Sequence, residues 1–291
     1  MKALTIARLT FREALRRRMI WGVLALSLIF VLIYYFGFAQ VKSEFLRIEA
    51  QRVGRGGRPG GQTGQLLTFE LVATIMVGLG FYTVNFLAGV MTIFASVGTI
   101  AGEIESGTFQ AIVPKPIARW QLVVGKFLGF AGMIVAYVAL MSAGVLLTAR
   151  VVANYTPANF VAGTALVILV SLVLLALTVL GSTLFQTMAN GVVVFMLYGG
   201  ALLGGLLETL GGVLNINSLV TTGVVTSLIL PSDSIWRLAS SLLQPNSQLR
   251  FDSPIPIAVA SPPSNAMIVY AIAYIAVLLG FAVLSFRRRD L

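Results

Sequence analysis

The 291 residues include no cysteine and no histidine, and only 10% of them are charged. Without cysteine there is no disulfide, thiol nucleophile or thiolate metal site, and without histidine no imidazole ligand or neutral-pH proton relay. Carboxylates remain as ligands for a hard cation, but no cluster of the ten acidic residues has metal-binding spacing. No metal is therefore expected. No carboxylate pair or nucleophile–base pair is placed for chemistry, so no catalytic residue is assigned. Nucleotide-binding motifs are missing as well. Residues 54–64, GRGGRPGGQTG, are rich in glycine but lack the terminal GK[ST] of a phosphate loop, and Gly125-Lys126-Phe127 breaks that pattern again. The glycine run reads as a flexible linker.

Hydrophobic residues are what the chain has in excess. They make up 58% of the sequence, and the mean hydropathy is +0.94. Soluble domains carry about 45–50%. A hydrocarbon core about 30 Å thick needs about 20 apolar residues in a helix. Six runs meet that length, at residues 19–39, 71–100, 127–148, 160–180, 191–214 and 267–286. The alternating segments of a membrane β-barrel are absent. The fold class is all-α: a polytopic membrane protein with six transmembrane helices. The second run is overlong and is expected to tilt or to project into water.

Lysine and arginine near the spans set orientation. With the N-terminus inside, twelve bases lie on inner segments and eight on outer ones, the densest clusters abutting the first and last spans. This predicts an N-in, C-in topology. The formal net charge of +10 does not point to nucleic acid. The bases flank spans, where anionic headgroups meet them, rather than clustering on a soluble face.

Residues 1–18 form the first unit, an amphipathic interfacial helix, and residues 19–291 form the second, the six-helix membrane domain. Ala3, Ile6, Ala7, Phe11 and Ala14 share one face of the first unit. Arg8, Arg12 and Arg16 make a basic stripe at i, i+4, continued by Arg17 and Arg18, suited to lipid headgroups. The apolar run that follows is about 21 residues long, whereas a signal peptide's core has about 7–15, so it is read as a span.

Between spans two and three lies the coupling region, residues 101–126, with GEIESGTFQAIVPKPIARWQLVVGK at 102–126. Ser106, Gly107 and Thr108 are expected to break the long second helix and start a short one, glycine allowing the turn and threonine the cap. Phe109, Ile112 and Val113 give that helix an apolar face. Pro114 and Pro116 stop it. Arg119 and Lys126 anchor the start of the third span. The residues alone leave two alternatives: a helix lying across the membrane surface, or an ordinary inner loop with solvated charges.

The order of residue types here resembles the cytoplasmic coupling region of type 2 ABC exporter permeases, the ABC-2 superfamily. That family carries an acidic Gly-Glu-x-Glu-x-Gly-Thr run, a short helix, then Pro-x-x-Arg and Gly-Lys. The matching residues are Gly102, Glu103, Glu105, Gly107, Thr108, Pro116, Arg119, Gly125 and Lys126, with Ser106 where an acid is common. The resemblance implies a permease subunit, not an enzyme, whose ATP and Mg are bound by a separate cytoplasmic ATPase present in two copies. Residues 106–114, including Phe109 and Ile112, would seat on that ATPase. It also implies a second permease subunit, most simply a homodimer, and a prokaryotic plasma (inner) membrane. Export of a substrate, or work on an extracytoplasmic partner, is the expected output. Within the family the layout, with PSDSIWR at 231–237, looks closest to permeases associated with multicopper-enzyme maturation, including the nitrous-oxide-reductase accessory type. Glu103 and Glu105 are expected to pair with Arg12 or Arg16 to Arg18 as a clasp. An ATP-independent carrier or channel is the competing class, with midplane charge pairs and internal repeats as its signs.

The outer segment, residues 215–266, holds an apolar stretch at 218–230 that is too short to cross at about 1.5 Å per residue. It is expected to dip in and return through a helix capped by Ser232 or Asp233 and running toward Leu243. Pro254, Pro256, Pro262 and Pro263 then form a strap to span six. Glu208 is the acid well inside an apolar run, a candidate substrate-pathway residue unless it pairs with Arg237 or Arg250.

Overall fold

A computed structural model describes residues 2–16, 18–54, 69–107, 118–157, 159–243 and 263–288. Every regular element among these is a helix. In chain order they are α1 (Lys2–Arg16), α2 (Arg18–Gly54), α3 (Phe69–Ser96), α4 (Ala101–Glu105), α5 (Arg119–Ala153), α6 (Phe160–Leu184), α7 (Thr187–Leu214), α8 (Asn217–Ile229), α9 (Ser232–Leu243) and α10 (Ala266–Arg288). Six are long and apolar enough to cross a membrane: α2, α3 continued by α4, α5, α6, α7 and α10.

Helix lengths depart from the apolar runs at two places. The longest helix is α2, at 37 residues, because Gln40 to Val53 contain good helix formers and no glycine or proline. It therefore runs about 20 Å past the apolar stretch. The overlong second run continues as one 37-residue span to Glu105, with an irregular turn at 97–100 where α3 gives way to α4. Asn154 and Asn215 end α5 and α7 in the left-handed conformation, at φ 53° and 55°.

Half of the residues in the apolar windows of α3 and α6 are buried, and 44% in α5, against 11% in α2 and α10. α3, α5 and α6 are thus the packed centre, and α2 and α10 face outward. Small residues bring helices close, as expected where no hydrophobic force drives association within lipid. A Cβ on Gly80 would lie 2.9 Å from Tyr34 and Val145, and one on Gly89 would lie 2.7 Å from the Tyr198 ring. Buried hydroxyls fasten the outer helix to the centre. Ser27 and Tyr137 share a 2.6 Å hydrogen bond, and Tyr34 donates to the Met76 carbonyl at 3.0 Å.

In the amphipathic α1, Arg8 and Arg12 of the basic stripe are exposed. Its small face, however, packs on protein and not on lipid alone. Ala7, Thr10 and Ala14 are buried, and a Cβ on Gly129 of α5 would come within 2.7 Å of the Ala7 carbonyl. At the other end of the chain, Arg119 donates to the carbonyls of Phe286 and Arg287 at 3.1 and 3.0 Å. The described helices at the two chain ends therefore meet the same end of α5. That side is called the terminal face below.

On the opposite face, α8 and α9 meet at a 104° bend. α8 enters alongside α7: a Cβ on Gly211 would touch Val220, one on Gly204 would touch Thr226, and one on Gly223 would lie 2.5 Å from the Glu208 Cβ. α9 returns, ending with Leu243 against Gly163 near the start of α6. Both ends of the hairpin lie on one face, so the pair does not cross. Its tip reaches Gly204, roughly 15 Å in from the end of α7. This is the re-entrant arrangement expected from the short 218–230 stretch. The proline strap lies outside the described residues apart from Pro263.

Candidate functional site: the helix break at the terminal face

α3 stops at Ser96, and the chain turns through Val97, Gly98, Thr99 and Ile100 before α4 starts. A helix break leaves backbone carbonyls and N–H groups without partners. Ile100, in the N-cap position of α4, makes no side-chain cap. The caps arrive from other helices instead. Ser182 of α6, fully buried, accepts from the N–H groups of Ile100 and Ala101 at 2.7 and 3.0 Å. Asn190 of α7 donates from one amide nitrogen to the Val97 carbonyl at 2.9 Å and to the Thr178 carbonyl at 3.0 Å. Lys126 of α5 donates to the Thr99 carbonyl.

Both family-like acids face this joint. Glu103 pairs with the Lys126 ammonium, whose side chain is only 7% exposed. A buried ammonium is costly unless a local carboxylate and further hydrogen bonds satisfy it. Glu105 accepts from the Thr187 N–H at 2.9 Å and from its hydroxyl at 3.0 Å. Its carboxylate thereby caps the start of α7, where the helix dipole favours negative charge. The expected partners were the arginines of the N-terminal unit. Lys126 and Thr187 are the partners seen among the described residues; Arg12 is exposed, and the side chains of Arg16 to Arg18 lie outside the description, so the clasp itself falls beyond the described residues.

α4 ends where the sequence placed a break. Ser106 N–H bonds the Gly102 carbonyl, and Gly107 N–H bonds the Ile104 carbonyl. Gly107 has φ +70°, and a Cβ there would meet nothing within 4 Å, so glycine is needed for its backbone angle and not for space. The second helix thus has two interruptions, at 97–100 and at 106–107. Thr108, Phe109, Ile112 and Pro116 lie outside the described residues. The chain returns at Ala118, and Arg119 stacks over the Phe286 ring at 5.9 Å while bonding the end of α10. A cavity of about 440 Å³ lies beside the joint, lined by Glu13, Gly98, Gly102, Glu103, Glu105, Ser106 and Thr187.

Sequence reasoning missed Ser182, Thr187 and Asn190. For Thr187 and Asn190 the one sign was the polar stretch QTMAN at 186–190 between two apolar runs; Ser182 had none.

Glu208 belongs to a second polar cluster, within the hairpin. Arg237 of α9 donates to it at 2.6 Å and meets Asp233 at 3.1 Å. All three side chains are at least 85% buried. A Cβ on Gly205 would overlap the Asp233 carboxylate, so that glycine makes room for it. Of the two partners the sequence offered, Arg237 is in place, and Arg250 lies outside the described residues.

Residues 4–291 match the model of a family described as ABC-2 family transporter protein. A search of curated proteins finds no match.

Proposed function

The chain belongs to the ABC-2 transporter family as its membrane permease component, and from that premise we propose that it couples a separate ATPase to work across the membrane through the segment that follows Glu105. The family lacks nucleotide-binding motifs and partners an ABC ATPase. ATP and Mg therefore lie with that chain. On this reading residues 106–114 seat on the ATPase. Two ATPase copies and a second permease, a homodimer in the simplest case, complete the assembly, with the terminal face cytoplasmic in a prokaryotic plasma membrane. Its output is export of a substrate or movement delivered to an extracytoplasmic partner. On this reading it belongs with the permeases of multicopper-enzyme maturation, a choice supported by the layout and the PSDSIWR run at 231–237.

One observation carries the reading. The backbone just before the proposed contact is tied to α5, α6 and α7 by Lys126, Ser182, Asn190 and Thr187. A push at residues 106–114 reaches three spans through polar contacts a few ångströms long. Glu208, its carboxylate held by Arg237, serves the hairpin as a strut on this reading, and the substrate path is left to other surfaces.

Co-purification with the cognate ATPase in detergent tests the assignment, comparing wild type with Phe109→Asp. A complex present in wild type and lost in the variant is expected. A well-folded wild type that binds no ATPase would discredit the proposal.

A further inference from the structure

Hydroxyl groups along the spans mostly bond within their own helix. Thr92 donates to Ala88, Ser96 to Thr92, Ser171 to Val167 and Thr178 to Leu174, all carbonyls four residues back. Such bonds satisfy the side chain and tie nothing together. Ser182 departs from that pattern on the same helix as Ser171 and Thr178. Its oxygen accepts two N–H groups from a different helix, at the point where that helix restarts.

Asn190 departs in a second way. Its amide bridges the carbonyl at which α3 stops and a carbonyl inside α6, although it belongs to α7. Room for it is made by Gly181, where a Cβ would lie 2.0 Å from the Asn190 side-chain oxygen. Gly181 and Ser182 are neighbours, so one turn of α6 supplies both the cap and the space. Lys126 covers the remaining carbonyl, Thr99, from α5.

We propose that residues 97–105 form a braced joint, not a free hinge, and that Ser182 and Asn190 are its positioning residues. A hinge absorbs movement by changing a few backbone angles. Here those angles are fixed by groups on three other helices, so displacement beyond Glu105 must carry α5, α6 and α7 with it. Neither residue touches the ATPase or a transported molecule. They act by keeping α4 in register with the bundle. The inference deepens the coupling role proposed above and rests on it for its purpose, though not for its test.

The natural absence of cysteine allows that test in the whole chain. Spin labels on Ser106→Cys and Leu140→Cys, and separately on Ser106→Cys and Met196→Cys, report α4 against exposed sites on α5 and α7. In the permease alone each pair should give one narrow distance. Ser182→Ala and Gly181→Ala should each broaden both pairs, the held-to-released ratio falling about tenfold, the scale of one or two lost hydrogen bonds. Ser182→Thr, which keeps the hydroxyl, should restore the narrow distance, and Ser171→Ala should leave it unchanged. The pair Leu140→Cys with Met196→Cys must stay narrow throughout. Broadening there as well would mean general loosening and overturn the local joint, as would unchanged widths in both α6 variants.

In the complex with the ATPase, Ser182→Ala should still hydrolyse ATP while the ATP-driven change in the Leu140–Met196 distance shrinks about tenfold, a split that a merely structural role would not give. Equal movement in wild type and variant would overturn the coupling role of the joint. Failure of the wild-type complex to form would instead count against the ATPase assignment, and the measurements on the permease alone would still decide the joint.

Discussion

The break between α3 and α4 and the bend between α8 and α9 both interrupt helical structure within the bundle, and they are held differently. At the terminal face, the broken backbone between α3 and α4 is capped by side chains from three other helices. At the opposite face, the α8–α9 hairpin is set by glycine contacts with α7 and by one buried arginine between two carboxylates. The tip of α8 is then closed by α10, with Tyr270 and Tyr274 donating to the carbonyls of Leu228 and Ile229 at 2.6 and 2.8 Å. Shape and a charge pair fix the hairpin in place, whereas directed hydrogen bonds from several helices link the break to all of them. A fixed element suits a plug. A linked element suits transmission.

Breaking the hairpin should therefore cost stability first. Arg237→Met leaves Glu208 and Asp233 buried without their cation, and a loss of about 3–5 kcal/mol is expected, read as the largest fall in thermal midpoint. Adding Glu208→Gln and Asp233→Asn should recover most of it. Without recovery, the cluster is not a charge pair in balance. Gly223→Ala drives a methyl into Glu208 and the Gly204 carbonyl, for about 1–3 kcal/mol by the same assay. Both hairpin variants should still co-purify with the ATPase.

Breaking the joint should reverse that order. Lys126→Met strips a partner from Glu103 and from the Thr99 carbonyl. About 1–2 kcal/mol should be lost, with ATP-driven movement of the spans falling further than the stability change alone accounts for. Gly107→Ala is the mildest, about 1 kcal/mol for a left-handed alanine, and it sharpens the contrast by straining the joint's exit without touching its caps. A stability loss at Gly107 larger than at Gly223 would mean that the two regions were ranked wrongly.

The parts of this comparison were unequally legible in the sequence. Apolar run length reports how many times a chain crosses lipid, so the six spans and the short dip at 218–230 were readable from composition and spacing. That Glu208 needs a partner was readable, because an isolated charge in an apolar run is costly, but the choice between Arg237 and Arg250 was not. Run length says nothing of where a helix stops once it leaves lipid, which is why α2 extends through Gly54 and α3 breaks at 97–100. Partner choice was the least visible. Serine in a helix bonds its own backbone by default, and nothing in GSTL at 181–184 distinguishes Ser182 from Ser171 before the helices are placed. The same limit applies to α1. Its small residues are compatible with lipid and with Gly129 alike, and only packing decides between them.

The closure of the hairpin by α10 also bears on how the protein is made. The carbonyls at the tip of α8 wait for Tyr270 and Tyr274, two residues of α10, which leaves the ribosome after the hairpin itself. Until that span arrives, the tip has its seat on α7 and α6 but no lock, so a nascent chain halted before Ala266 would carry an open hairpin. Assembly of the opposite face is thus completed only once α10 has joined the bundle.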